Sequence, residues 1–236
     1  LPLALMFQGL RWILDSATWV SGLPGGTADI VAPPTWSMLP LVLGGLWLTL
    51  WQTQWRLLGV PIFIFGILGP AFAQPPHIII DGEARVVAVN ELGQGLLLST
   101  HRAGRFEVAR WTQRLGYGEA PGRWPVDVEI TTGGLRCEAA GCVIHRTDAV
   151  IAIAKITDAL LEDCRHADMV IALVPVRAPC RPPWGVIDRF DLWRYGTHAV
   201  TFHKNGPNIQ TVNTSRGRAL GAVTHPLVMS IKRFQD

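Results

Sequence analysis

The sequence predicts membrane α-helices followed by an α/β domain with a mixed, layered sheet arrangement. Three observations carry that expectation. Charge is almost absent at the front: from Leu1 to Ile80 only Arg11, Asp15, Asp29 and Arg56 are charged, whereas from Asp81 onward charges recur every few positions. Two runs in that front part, Pro34 to Trp55 and Leu57 to Pro76, carry no charge at all and match the length a helix needs to cross about 30 Å of hydrocarbon. Beyond His77, short β-rich runs alternate with single helical patterns, as layered α/β domains require. The division expected is 1–76 for the helices, 77–203 for the α/β domain and 204–236 for an irregular tail.

The totals agree with that division. Hydrophobic residues make up 49% of the 236-residue chain and charged residues 17%, which is lean in charge for a soluble domain. The net charge of +3 fits a weak attraction to phosphate or anionic lipid. The chain opens "LPLALMFQGL", without an initiator Met or a basic leader, and reads as a piece of a longer polypeptide.

The elements follow in order. Met6, Leu10, Ile13, Leu14 and Ala17 recur at helical spacing around Arg11 and Asp15, which predicts an amphipathic helix over Leu1 to Val20. In the first uncharged run, Trp36, Trp47, Trp51 and Trp55 fall near the ends, where an interfacial belt would place them. A pair of buried helices in a soluble core is the other reading of the two runs. Arg56, the basic residue between them, would lie in the cytoplasm by the positive-inside tendency, putting the chain after Pro76 outside. "AFAQ" (Ala71 to Gln74) also has the form of a signal-peptidase site, and either reading exports the downstream domain.

In that domain "ARVVAVN" and "GLLLST", separated by "ELGQ", predict a hairpin. "RFEVARWTQRLG" predicts a helix with Phe106, Ala109, Trp111 and Leu115 on one stripe, stopped by Gly116. "VDVEITT", "GLRCE", "GCVIHR", "DAVIAIAKI", "DMVIALVPV" and "HAVTFH" read as strands. "TDALLEDCRHAD" reads as a helix capped by Thr157 or Asp158.

Cys137, Cys142 and His145 raise the question of zinc, but no second C-x-x-C or H-x3-H pair accompanies them. Four cysteines in an exported domain fit two disulfides and allow three pairings; Cys137 with Cys142, or Cys164 with Cys180, would each close a short loop. Free buried thiols are the remaining reading. Arg102, Arg105, Arg110 and Arg114 surround one predicted helix that also carries Phe106 and Trp111, a mixture that single-stranded DNA binding uses. The plainer reading is a solvated helix face with both aromatics in the core. Around Phe190 and Trp193, the charges Asp188, Arg189, Asp191 and Arg194 alternate in sign, which reads as an ion-pair network anchoring a turn or, more sharply, as a substrate contact.

The stretches "LLEDCRHADMVI", "PVRAPC" and "VIDRFDLWRYGTHAV", which includes His198, together resemble the C-terminal region of ComEC-type competence proteins, the channels through which single-stranded DNA enters bacteria. "LPGG" and "GGLWLTLW" are similar in character to the last helices of that family's membrane domain, so the resemblance runs from Leu1 to about His203. In much of the family the C-terminal domain looks like a metallo-β-lactamase, whose metals need H-x-H-x-D-H and a later His-His-Gly. Here the seven histidines never form an H-x-H pair, His101 has no second ligand nearby, and "ALVPVRAPC" stands where His-His-Gly would follow. The resemblance therefore implies a degenerate, non-catalytic metallo-β-lactamase-like domain with no cofactor, on the outer face of a bacterial inner membrane. The partners it implies are membrane lipid, single-stranded DNA and other competence proteins. The rival readings are a metal-dependent nuclease acting on incoming DNA and a membrane-anchored structural module.

Overall fold

The computed structural model describes residues 2–23, 30–91, 95–125, 129–130, 134–146, 149–177, 179–203 and 206–215. Helix α1 (Pro2–Ser21) has 20 residues, and its apolar side chains Met6, Phe7, Leu10, Ile13, Leu14 and Trp19 all face solvent. Helix α2 (Thr35–Leu50) has 16 residues and holds Pro40 inside it. A 3-10 turn at Gln54–Leu58 leads into α3 (Gly59–Ile67), and a second one at Gly69–Phe72 follows.

The expectation of membrane-spanning helices is overturned here. No helix among the described residues is long and apolar enough to cross a membrane. At about 1.5 Å per residue α2 is about 24 Å long and α3 about 14 Å, both short of a hydrocarbon core of about 30 Å. The uncharged runs are interrupted by backbone rather than by charge. Trp51 (φ −88°, ψ 129°) and Thr53 (φ −94°, ψ 174°) are extended, which ends α2 before its run does. Pro70, which lacks an N–H for the next helical bond, stands just beyond α3 in the second 3-10 turn. What α2 and α3 do instead is pack on each other through glycine. A Cβ on Gly44 would lie 2.6 Å from the Phe63 nitrogen, and one on Gly66 2.6 Å from the Leu41 nitrogen, so only hydrogen at these positions lets the backbones approach so closely.

Among the described residues the remainder is a sandwich of two sheets, six strands each, with a helix on either outer face. The first sheet has the order β12-β11-β1-β2-β3-β4, built from Ile78–Ile80 (β1), Val87–Glu91 (β2), Gly95–Leu98 (β3), Gly122–Arg123 (β4), His198–His203 (β11) and Gly206–Thr211 (β12). All its pairings are antiparallel except β3 with β4. The second has the order β10-β9-β8-β7-β6-β5, from Glu129–Ile130 (β5), Leu135–Cys137 (β6), Gly141–Arg146 (β7), Ala149–Ala154 (β8), Met169–Ala172 (β9) and Val186–Ile187 (β10). Strands β8, β9 and β10 run parallel and the others antiparallel, so both sheets are mixed.

Strand alternation explains why several strands are apolar without a break. Ile78 and Ile80 point inward to meet Leu135, Ile144, Ile151, Ile153, Met169 and Ile171 of the facing sheet. Ile79 points outward, where Ala88, Leu96 and Leu98 join it beneath α4 (Arg105–Leu115). On the other sheet Ala152, Ala154, Val170 and Ala172 face out beneath α5 (Thr157–His166), which contributes Leu160. A strand covered on both faces has no polar side to show, hence "III", "VIAIA" and "MVIA". Small alanines on the α5 side allow that helix to lie close.

Two further expectations are corrected. The tail from Lys204 was expected to be irregular, yet Gly206–Thr211 forms β12 against β11 because the β11 edge offers free backbone groups to a returning chain; 204–205 and 216–236 lie outside the described residues. Thr157 and Asp158 do not cap α5: Ile156 holds the cap position with no side-chain bond, and Asp158 sits in the first turn, where its charge suits the helix dipole. Of the strand expected in "VDVEITT", only β5 falls within the described residues.

Candidate functional site

Helix α4 is positioned by three faces of different chemistry. Val108, Trp111 and Leu115 are buried against the first sheet, Trp111 at 9% exposure. Phe106, expected on the same stripe, is instead 69% exposed, because at 100° per residue it stands about 170° from the middle of the sector that Val108, Trp111 and Leu115 occupy. Phe106, Arg110 and Arg114 recur at every fourth position and form an outward row. The Arg110 guanidinium lies 5.3 Å from the centre of the Phe106 ring, a cation–π arrangement. The helix starts at Gly104 and stops at Gly116, both left-handed (φ 64° and 69°). At Gly116 a side chain is excluded twice over, since a Cβ would also lie 2.6 Å from the Ile30 carbonyl carbon, where Ala32 donates its N–H to the Arg114 carbonyl at 2.8 Å.

Beside this row runs an open groove of about 530 Å³. One wall is the α4 face made by Arg105, Val108, Ala109, Thr112 and Gln113, and the other comes from Leu98, His101, Ala103 and the Tyr117 to Pro121 turn. Thus Arg105 lines the groove, Arg110 and Arg114 are exposed on α4 outside its lining, and Arg102 occupies the exposed turn before the helix, its N–H donating to Thr100 Oγ1. Two acidic groups temper the arginines: Glu107 in the first turn of α4 and Glu119 on the groove wall. Tyr117 donates its hydroxyl to Asn90 Oδ1, and Asn90 in turn donates its Nδ2 to the Pro76 carbonyl at 3.1 Å. Burial pushes the Tyr117 phenol above its usual pKa, so it stays a donor at neutral pH. No local sequence signal points to Tyr117 or Asn90, since the packing of the chain after α4 against β2 brings them together across 27 positions.

The cysteines form two disulfides, Cys137 with Cys142 (Cα–Cα 4.1 Å) and Cys164 with Cys180 (Cα–Cα 5.3 Å). The first links directly opposed residues of β6 and β7 on the inner face of its sheet. The second ties α5 to the chain after β9, on the outer face. His145, three positions further along β7 than Cys142, is exposed and takes no part. Among the described residues no three of His, Cys, Asp and Glu stand together as metal ligands. His101 lines the α4 groove.

The alternating charges around Phe190 do not form the ion-pair network expected of them. Asp188 caps α6 (Arg189–Tyr195): its Oδ1 accepts from the Asp191 N–H at 2.9 Å, and Asp191 Oδ2 accepts from the Asp188 N–H at 3.2 Å. Both carboxylates are thus used by the backbone, while Arg189 and Arg194 point to solvent. Burial raises the Asp191 pKa, the Asp188 N–H opposes this, the Asp188 carboxylate adds to it, and the Arg194 charge also opposes it. Leu192 alone of the helix is fully buried, leaving Phe190 (58%) and Trp193 (77%) exposed. His198 is wholly buried, its Nδ1 2.7 Å from the Gly196 carbonyl, and Nε2 has no partner. No family model, no curated protein and no solved structure matches this chain.

Proposed function

We propose that this chain is the C-terminal part of a bacterial channel for uptake of single-stranded DNA, and that its sandwich contacts the strand along α4 without cutting it. The observation that carries this reading is the exposed row Phe106, Arg110 and Arg114 on the same helix as Arg105, which lines the groove. An exposed ring offers a face to any base, and guanidinium groups beside it offer paired donors to phosphate. A cavity open to solvent suits a polymer segment lying against it rather than a small ligand that is enclosed. The two disulfides support placing the sandwich on the outer face of the inner membrane, since such bonds persist in oxidising compartments. In this reading the domain holds and guides, and other competence proteins and the lipid surface are its surroundings.

A second reading, an interaction module with no DNA contact, is favoured by the apolar side chains that α1, α2 and α3 leave uncovered. Binding of a fluorescent single-stranded oligonucleotide separates the two. The DNA reading expects affinity that falls steeply with salt, a slope that drops by about 0.7 for each arginine among Arg102, Arg105, Arg110 and Arg114 changed to Gln, and a loss of about 1–3 kcal/mol for Phe106→Ala. Absence of binding, or binding indifferent to these changes, would leave the interaction module standing.

A further inference from the structure

At one edge of the sandwich, residues from four separate stretches converge. His77 stands just before β1, Arg146 ends β7, Phe202 and His203 end β11, and Trp184 lies just before β10. The Phe202 backbone N–H donates to His77 Nδ1 at 3.1 Å. A backbone amide can only donate, so Nδ1 is unprotonated and the neutral ring carries its hydrogen on Nε2. That nitrogen faces Arg146 Nη2 at 3.5 Å. A guanidinium also has donors alone, so two N–H groups meet with no acceptor between them.

The neighbours hold this geometry in place. The Arg146 guanidinium lies 5.5 Å from the centre of the Phe202 ring, and Phe202 stacks on Trp184 at 6.2 Å and 25°. His203 is exposed and close enough for its charge to act on the His77 ring. Among the described residues no carboxylate stands within 4 Å of Arg146; the ion pairs there belong to Arg85, with Asp81 and Glu83. Converging donors without an acceptor are what an oxyanion completes, and a tetrahedral group with several oxygens serves both donors at once.

We propose that this edge is an oxyanion site that takes a phosphate group between His77 Nε2–H and the Arg146 guanidinium, with His203 at its rim. It uses none of the α4 side chains, so it stands or falls apart from the DNA reading above. Asn90, which donates its N–H to the His77 carbonyl at 2.7 Å and accepts from Tyr117, joins the two places through the first sheet.

The test is a titration of the full chain, labelled with ¹⁵N-histidine, with inorganic phosphate above pH 7, with sodium chloride of equal ionic strength as the reference. The His77 and His203 ring resonances are expected to shift and saturate with phosphate. Arg146→Gln is expected to raise the midpoint about tenfold or more, the usual effect of removing a charged hydrogen-bond partner. Arg146→Lys, which keeps the charge over Phe202, is expected to recover part of that loss, and Phe106→Ala on α4 to change nothing. A short single-stranded oligonucleotide that shifts the same rings at lower concentration than inorganic phosphate assigns the site to nucleic-acid phosphate; equal concentrations assign it to free phosphate. Ring shifts no larger than those with chloride, or a midpoint unmoved by Arg146→Gln, overturn the proposal.

Discussion

The sandwich and the helical segment before it are built from similar apolar residues placed in opposite ways. In the sandwich, isoleucine, leucine and valine point into three layers, and the backbone polar groups are spent on strand ladders. In α1, α2 and α3 the same residue types stand outside, and α2 and α3 are joined by the close passage of Gly44 and Gly66. The difference shows that hydrophobicity of a segment and burial of its side chains are separate quantities. The first belongs to composition; the second depends on whether another layer arrives to cover the face.

Mutations should expose that contrast directly, and the largest effect is expected in the sandwich. Ile151→Ala, at the centre of the inner layer, should cost about 2–5 kcal/mol by chemical denaturation, whereas Leu39→Ala on the open face of α2 should change stability by no more than about 0.5 kcal/mol. Equal losses would mean that the helical apolar surface is covered after all.

The disulfides come next. Cys164→Ser with Cys180→Ser frees α5 from the chain after β9 and should cost about 2–4 kcal/mol. Alkylation of the unreduced, denatured protein followed by mass measurement should find none of these four cysteines modified. Free thiols there would remove the argument for an oxidising compartment.

A smaller and more local effect is expected at Gly44→Ala, where the new methyl group would press on Phe63. A cost of about 1–3 kcal/mol should appear as faster amide exchange across α2 and α3, with the sandwich amides unchanged. Faster exchange in both regions together would show that they are one cooperative unit.

The gentlest probe is pH. His77 and His198 are both held below the usual histidine pKa, mainly by burial; Arg146 and His203 reinforce this at His77, and the Gly196 carbonyl opposes it at His198. A histidine with a depressed folded pKa stays neutral in the folded chain while the unfolded chain takes up a proton below about 6.5. The stabilisation is therefore complete above about pH 6.5 and is lost as the pH falls from there toward the folded values. The denaturation midpoint should decline through that window, and less so in His198→Leu. The stretch before His77 contains no histidine, so a decline tracking α1 to α3 instead would contradict this assignment.

Much of the sandwich is legible in the sequence because its signals are short-range. The β2–β3 hairpin, α4 with its stop at Gly116, and the apolar strands β8 and β9 follow from period and punctuation within about ten residues. The candidate site is only half legible. Four arginines and two aromatics around one helix can be counted, but which aromatic faces out depends on which side of the helix meets the sheet, since five positions turn Phe106 and Trp111 about 140° apart. Trp111 went in and Phe106 out. The alternation at Asp188 to Arg194 looked like ion pairing, yet a capping box uses the same carboxylates with the backbone, a choice that pattern alone does not separate.

The sequence by itself determined where charge stops and starts, that β8 and β9 would be buried strands, and that cysteines near in the chain could pair. Only the tertiary structure decided that the uncharged runs break into short helices, since helix length is set by backbone continuity at Trp51 to Thr53 and at Pro70. It alone decided that His77 meets Phe202, 125 positions away, and Arg146, 69 away. Such meetings come from strand order and register, which arise when sheets stack and which no local window of residues contains.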